Sequence, residues 1–462
     1  VEEKFFSDMA DSLPMDPSPA PGADPRGLRG EVLRLAVPAF LALVAEPLFL
    51  LADSAIVGYL GTSSLAGLGV ASGVLLTAVN IFVFLAYGTT AVVARRLGAG
   101  DERGALTAGV DGLWLSLVLG VLAALVVWVW AEPLVAIFGA TPDATAEAVT
   151  YLRVSALGIP PMLLVLAATG VLRGLQDTRT PLIVAVAGFT TNAALSLLLV
   201  HGVGWGIAGA AWGTVVAQTG MAVALVVVVI RGASRFGASL GFATAGVLRS
   251  ALDGIPLLVR TLSLRAVLLI TTWVAAGLGE PELAAHQVAI TVWSALTFAL
   301  DALAIAAQAL TGKSLGAGEV EDTHAVTWLM VRWGVWFGLV LTALILLLHR
   351  IIPLGFSSDP EVRAALAAAL VVVAVVQPVS GVAFVLDGVL IGAGDARWLA
   401  VAQTVFLVVY LPMALALKAV GVVGVTGLVW LWVAFGAFMA VRAAGLVWRA
   451  RGDAWLITGA TR

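Results

Sequence analysis

Residues 170–177, GVLRGLQD, return at 388–395 as GVLIGAGD, and the 218 positions between them (388 − 170) set a register that holds along most of the chain. At that one offset, without gaps, Pro38 meets Pro256, Leu60 and Gly61 meet Leu278 and Gly279, and Leu65 and Ala66 meet Leu283 and Ala284. LGAG at 97–100 meets LGAG at 315–318, Phe138 meets Phe356, and Pro160 meets Pro378. Gly206, Gly209 and Trp212 then meet Gly424, Gly427 and Trp430. Many of these matches are glycines, prolines or loop residues, which a shared apolar composition does not bring into line; the register marks an internal repeat.

The 462 residues are 61% hydrophobic and 11% charged, with a mean hydropathy of +1.05. That balance belongs to a polytopic membrane protein. With about 20 apolar residues per span, helices are predicted near 32–60, 65–94, 107–131, 147–172, 181–201 and 206–230, and again near 250–278, 282–312, 325–349, 363–391, 397–417 and 423–447. The predicted fold is an all-α polytopic membrane protein with twelve transmembrane helices in two pseudo-symmetric six-helix lobes. The first lobe covers 31–231 and the second 249–448, joined by a cytoplasmic linker over 232–248. A Pro-rich polar tail, with DPSPAPGADP at 16–25, is expected to be disordered over 1–30, and a second tail covers 449–462.

Most of the 25 Lys and Arg fall in the tails and alternate loops, a set that includes Arg442, while Arg260, Arg265 and Arg332 fall within spans. By the positive-inside rule both termini are cytoplasmic, as an even number of spans also requires. The net charge of −3 adds little, since position along the chain matters more than the sum. Cysteine is absent, which excludes disulfides, thiol catalysis and Cys-ligated metal centres. Because each repeat has six helices, the two lobes are parallel, and two parallel lobes suit a secondary transporter working by alternating access.

Function is expected where the repeat breaks its symmetry. The stretch 44–61, VAEPLFLLADSAIVGYLG, carries Glu46 and Asp53, whose counterparts are Leu264 and Thr271; Pro47 is matched by Arg265. Seven residues are nearly two turns, so the two acids share a helix face about 10 Å apart. A carboxylate in hydrocarbon must be protonated, paired or bound to a cation, and burial favours its neutral form. Asp53 and Glu46 are therefore candidate proton couplers, or else acids tied to Arg260 or Arg265. Pro47, together with Pro38, Pro160, Pro256 and Pro378, is a predicted kink. Asn192 and Gln218 are able to hydrogen-bond a carboxylate, coordinate an ion or join helices. Asn80, Arg260, Arg265, His286, Asp301, Gln308 and Asp387 are candidates for a substrate cavity or a second-lobe network, with Asp301 and Asp387 balancing Arg260 and Arg265 or binding a cationic substrate.

Several stretches resemble the multidrug and toxic compound extrusion (MATE) family. They are DSAIVGYLGTSSLAGLGVA (53–71), YLR (151–153), GVLRGLQDTRTPL (170–182) and NAALSLLLVHGVGWGIAGAAWGT (192–214). AAHQVAITVWSALTFALDALAIAAQALTGKSLGAGE (284–319) and DGVLIGAGDARW (387–398) are similar to its DinF-like branch. The resemblance covers about residues 30–448. It implies efflux of organic cations or amphipathic compounds by proton or sodium antiport, with citrate-like organic acids as an alternative cargo. The family's first-lobe cation site uses an Asp, an Asn, a second Asp and a Thr. Asp53, Asn192 and Thr214 match it, while Ser196 stands in place of the second acid. The family's second-lobe acids are likewise missing, with Leu264 and Arg265 on the seventh helix and Ser380 on the tenth. Hard cations need several anionic or carbonyl oxygens, so the expected coupling ion is H⁺ rather than Na⁺.

A lipid-linked oligosaccharide flippase is the nearest alternative and would call for a more cationic cavity. A major-facilitator carrier is disfavoured because ARRLGAGDERGA (94–105) has its glycines out of place for that family's basic loop. An intramembrane hydrolase lacks its motif, since the four His at 201, 286, 324 and 349 form no HExxH. There is no Walker-type phosphate loop and no filter-like segment. The sequence therefore predicts a monomeric multi-pass protein of the plasma or inner membrane. It would handle a small organic molecule in a lipid bilayer, with no catalytic residues, metal, cofactor or nucleic-acid partner.

Overall fold

A computed structural model describes residues 25–461, apart from the side chains of 25–28, 46 and 48–52. Of the tail predicted to be disordered over 1–30, residues 1–24 lie outside the described residues, and 25–30 instead form the first turns of a helix. The chain from Pro25 onward is helical: α1 (Pro25–Gly58), α2 (Thr62–Phe82), α3 (Phe84–Gly98), α4 (Glu102–Val129), α5 (Ala131–Ala136), α6 (Pro142–Ala156), α7 (Ile159–Gly174), α8 (Arg179–Leu197) and α9 (Gly206–Arg235). There follow α10 (Thr244–Ala275), α11 (Glu280–Ala317), α12 (Val320–Leu348), α13 (Ile352–Phe356), α14 (Pro360–Gly392), α15 (Ala396–Val420) and α16 (Gly424–Arg451). A π-helical turn, Leu198–Gly202, extends α8.

Among the described residues ten uninterrupted stretches are long and apolar enough to span a membrane, α2 with α3 counting as one. The bent pair α6 and α7 makes an eleventh, and α1, 34 residues long, carries the remaining predicted span. The outer faces suit lipid: Leu269, Trp336 and Leu347 are each at least 70% exposed. Such surface would be costly in water and costs nothing in hydrocarbon.

The chain divides into two compact units. One holds Val37–Gly254; the other holds Ile255–Ala460 together with the start of α1 through Ala36. In the first unit α7 packs on α3, α4 and α9, α2 packs on α6, and α8 packs on α9. In the second, α14 packs on α11, α12 and α16, and α15 packs on α16. Each unit is thus assembled around its fourth span.

That centre depends on glycine. A Cβ on Gly170 would stand 2.6 Å from the Ala86 carbonyl oxygen, and one on Gly174 would stand 2.9 Å from that of Thr90. In the second unit Gly388 abuts the Ala304 carbonyl and Gly392 that of Gln308, which are the same pairings one repeat later. Small residues let membrane helices approach backbone to backbone, where dispersion and weak polar contacts do the holding. One turn beyond, Gln176 takes φ 67° where the repeat has Gly394 at φ 72°. A non-glycine residue there costs about 1–2 kcal/mol. The return of the chain is held by Asp177, whose Oδ1 accepts from the amides of Arg179 and Thr180, each at 3.0 Å.

The prolines behave unequally. α1 runs through Pro38 and Pro47, α10 through Pro256 and α14 through Pro378 without interruption. Only at Pro160 does the span break, α6 and α7 meeting at 52°. Pro160 is followed by Pro161, with Gly158 two positions before it, so two amide donors are lost next to a glycine, itself a weak helix former. Pro160 and Pro378 are each admitted by a glycine on the preceding span, Gly120 and Gly338, which again stand one repeat apart.

The segment after α16, predicted as a tail, docks on the second unit. Trp455 is fully buried with Nε1 donating to the Ala450 carbonyl at 3.3 Å, and the Gly459 amide donates to the Leu315 carbonyl at 2.9 Å. Because Gly388 is pressed on the Ala304 backbone whereas Gly69 has open space around it, Gly388→Ala is expected to lose about 1–3 kcal/mol of stability. Gly69→Ala, where the added methyl meets nothing, should hold or slightly raise stability in thermal unfolding in detergent.

Candidate functional site

In the first unit four helices bring polar side chains to one point. α1 contributes Asp53, α6 Tyr151, α8 Asn192 and Ser196, and α9 Thr214. Asp53, Tyr151, Asn192 and Ser196 are each no more than 5% exposed. Asn192 and Ser196 share a helix face because they are four residues apart, and the Ser196 hydroxyl donates to Asn192 Oδ1 at 3.0 Å. Asn192 Nδ2 donates to Thr214 Oγ1 at 3.3 Å, and Thr214 donates to the Ala210 carbonyl of its own helix at 3.1 Å. Gly213 lets α9 lie against the Ser196 backbone, where a Cβ would stand 3.0 Å from the amide nitrogen. Asp53 closes the set. Tyr151 donates to its Oδ2 at 3.3 Å, and Ser196 Oγ lies 3.4 Å from its Oδ1.

Among the described residues the partners of Asp53 are neutral hydroxyls at the long end of hydrogen-bond distance, which bears on the arginine alternative. Arg260 is taken by Asp387 instead, and Arg265 is exposed. Glu46 sits on the same helix, but its side chain lies outside the described residues. Four of the five predicted coupling residues, Asp53, Asn192, Ser196 and Thr214, are therefore brought together. The fifth member of the cluster, Tyr151, leaves a single trace in the sequence, the YLR match at 151–153.

The neighbouring π turn ties α8 back to α1. His201 Nε2 lies 3.2 Å from the Ile56 carbonyl, one turn past Asp53, and must donate there because a carbonyl only accepts. π turns cluster at functional sites because they displace a helix end by one residue.

The second-lobe candidates separate into groups. Arg260 on α10 binds Asp387 on α14 through two contacts, Nε to Oδ1 at 3.1 Å and an ion pair from Nη2 to Oδ2. Arg442 Nη2 on α16 reaches Asp387 Oδ2 at 3.2 Å, with its guanidinium 5.3 Å from the Phe384 ring centroid. This corrects the assignment of Arg442 to a loop, since it is 2% exposed inside α16. Loop placement rested on charge alone, and a guanidinium with a buried carboxylate partner no longer needs water. Asp301 is half-buried on α11, and Gln308 is buried lower on the same helix. Asn80 serves its own helix, donating to the Leu76 carbonyl at 2.7 Å, and Gln218 Nε2 faces Met162 Sδ at 3.7 Å, so neither joins the Asp53 cluster. His286 is fully buried at the start of α11, 3.3 Å from Thr272 Oγ1.

The counterparts of Arg260, Asp387 and Arg442 in the first unit are Ala42, Thr169 and Ala224, so the ionic group is particular to the second. Asp387→Asn leaves two buried guanidiniums without their carboxylate and is expected to cost about 3–5 kcal/mol in thermal unfolding. Combining it with Arg442→Met, which removes one of the two surplus charges, should restore part of the loss.

The MatE family model matches residues 38–198 and again 256–416. The two matches begin 218 positions apart (256 − 38), in the register of the internal repeat. Protein DETOXIFICATION 44, chloroplastic, of Arabidopsis thaliana is 31% identical over 452 residues, covering 94% of this chain and 84% of that protein. DNA damage-inducible protein F of Escherichia coli is 29% identical over 430 residues, covering 90% and 91%. Multidrug resistance protein PmpM of Pseudomonas aeruginosa is 28% identical over 390 residues, covering 80% and 81%. Among solved structures, a MATE transporter of Vibrio cholerae superposes with a TM-score of 0.83 at 20% identity, covering 92% of this chain and 96% of its own. An outward-facing multidrug resistance MATE transporter gives 0.81 at 23% identity, covering 90% and 94%. With both repeats matched by the family model and one relative above 30% identity over nearly the whole chain, the protein belongs to the MATE family of multi-pass membrane transporters and is not an enzyme.

Proposed function

We propose that this transporter exports organic cations or amphipathic compounds in exchange for protons, by alternating access, with Asp53 as the coupling group. The observation that carries this reading is the surroundings of Asp53: one buried carboxylate, neutral hydroxyl partners, and Ser196 where a second acid would help hold a metal cation. An ionised carboxylate so placed has lost much of its hydration and gained no opposite charge in return. A proton relieves that cost, whereas Na⁺ would find a single anionic ligand where hard cations favour several oxygens.

The hydrogen bonds give the switch a direction. Ser196 has one proton and two acceptors, Asn192 Oδ1 at 3.0 Å and Asp53 Oδ1 at 3.4 Å. When Asp53 is protonated it donates to Ser196 Oγ, leaving Ser196 free to donate to Asn192. The chain then runs unbroken through Asn192 and Thr214 to the Ala210 carbonyl. When Asp53 is ionised, Ser196 must turn towards it, and Asn192 Oδ1 loses its donor. Protonation thus changes how α1, α8 and α9 hold together, and α1 carries Pro47 between Asp53 and the beginning of the helix. Glu46, two turns before Asp53, is assigned a supporting part in proton uptake.

The relatives named for multidrug resistance support a drug-like cargo. The arginine and lysine bias supports cytoplasmic termini in a plasma or inner membrane. The test is ethidium efflux from proteoliposomes under an imposed proton or sodium gradient. The proton gradient alone should drive efflux, Asp53→Asn should abolish it in a folded protein, and Glu46→Gln should reduce it partially. Exchanging sodium for choline should change nothing in the intact protein, while Ser196→Asp should introduce a sodium response. A strict sodium requirement, or proton-driven efflux retained in Asp53→Asn, overturns the coupling mechanism; efflux under neither gradient overturns the choice of cargo.

A further inference from the structure

The repeat relates the Asp53 cluster to a definite place in the second unit. Asp53, Asn192 and Thr214 correspond to Thr271, Tyr410 and Trp432. These three also gather there. Thr271 and Tyr410 share a hydrogen bond of 2.6 Å between buried hydroxyls, and the Tyr410 ring meets Phe438, Phe438 meets Phe435, and Phe435 meets Trp432 at centroid distances of 5.5–5.9 Å. No carboxylate remains at the three matched positions. What stands beside them is His286, fully buried, with its ring centroid 5.7 Å from that of Trp432 and its Nε2 3.3 Å from Thr272 Oγ1.

The Thr272 hydroxyl lies 3.1 Å from the Leu268 carbonyl, which takes its proton; in that arrangement Thr272 accepts from His286, and Nε2 carries the hydrogen. Nδ1 is then a bare lone pair, buried with no hydrogen-bond partner among the described residues, and the neighbouring Trp432 Nε1 donor is likewise without one. An unsatisfied buried polar atom costs about 1–3 kcal/mol, and a histidine kept only for packing would be replaceable by an apolar ring at no such cost. An available imidazole nitrogen is the side-chain group best suited to bind a proton near neutrality.

We propose that His286 is a second proton-binding site of the transport cycle, built in the second unit at the place the repeat relates to the Asp53 cluster. The proposal rests on the reading of Asp53 as a proton coupler and extends it. No fixed opposite charge on the neighbouring helices would hold a proton there permanently, so a proton taken up at His286 would also be given up again. The stretches of α10 (266–275), α12 (333–348), α14 (364–386) and α16 (424–441) contain no charged side chain. The titratable groups near it are Glu282 one turn earlier on α11, buried by Gly279, and Tyr410 on α15. Lys418, two turns further along α15, lies 3.5 Å from the centroid of the Trp273 ring. Asp53 loses a negative charge on taking a proton and His286 gains a positive one, so substrate arrival and proton departure would be linked in both units.

The experiment is proton release on adding ethidium to the purified full-length protein in weakly buffered detergent, followed by a pH-indicating dye. His286→Gln keeps a donor for Thr272 but cannot take the proton, and each of His286→Gln and Asp53→Asn should release about half as much as the intact protein. The double variant should release none. Release from His286→Gln equal to that of the intact protein overturns the proposal while leaving the Asp53 reading standing. Undiminished release from Asp53→Asn with loss in His286→Gln does the reverse. If His286→Gln does not fold, ¹⁵N-histidine NMR of the intact protein decides, with His286 assigned by the shift that Thr272→Val produces. Its Nδ1 signal should move from the bare to the protonated position as pH falls, and ethidium should displace that transition. A signal that stays bare throughout overturns the proposal.

Discussion

Everything in each unit hangs on a backbone approach that only glycine permits. Gly170 and Gly174 lie against the carbonyls of Ala86 and Thr90, and Gly388 and Gly392 lie against those of Ala304 and Gln308. In lipid there is no hydrophobic gain from bringing two apolar helices together, so closeness itself must supply the attraction. Two glycines one turn apart on the fourth span set its distance and azimuth against the second. The third and sixth spans then fill the remaining sides of the same helix.

A rigid centre of this kind leaves the outer helices free to differ, and the two units use that freedom differently. The first builds a hydrogen-bonded cluster around a lone carboxylate from side chains on four helices, α1, α6, α8 and α9. The second spends its strongest interactions on Arg260, Asp387 and Arg442, which join α10, α14 and α16. A carboxylate flanked by two guanidiniums meets opposite charge on both, whereas one among hydroxyls receives only neutral hydrogen bonds. The same residue type is thus a structural anchor in one unit and the expected exchange group in the other. The difference comes from what surrounds each acid.

Most of the architecture could be read from the sequence because hydropathy and a repeat register are both one-dimensional. Each predicted span is met by helix, and the offset read from GVLRGLQD and GVLIGAGD reappears as matched contacts between spans. The break at Pro160 was harder to see, since a proline only removes a donor and clashes locally. Whether the helix stops depends on neighbours such as Gly158 and Pro161 and on the space that Gly120 provides. Arg442 was misjudged for a related reason: a cation in an apolar run reads as a boundary until its partner is known, and Asp387 lies 55 positions away (442 − 387).

What the sequence determined by itself was the membrane fold, its two-fold repetition and the identity of the acid that breaks the repeat, because each depends on residue type and spacing along one chain. Tertiary structure alone decided that Tyr151 completes the Asp53 cluster and that Arg260 belongs to Asp387. Among the described residues, it also left His286 Nδ1 buried without a hydrogen-bond partner beside the counterpart of that cluster. Those outcomes turn on which hydroxyl, carbonyl or guanidinium lies within about 3 Å of a given atom, and that distance is set by helices packing across the bundle.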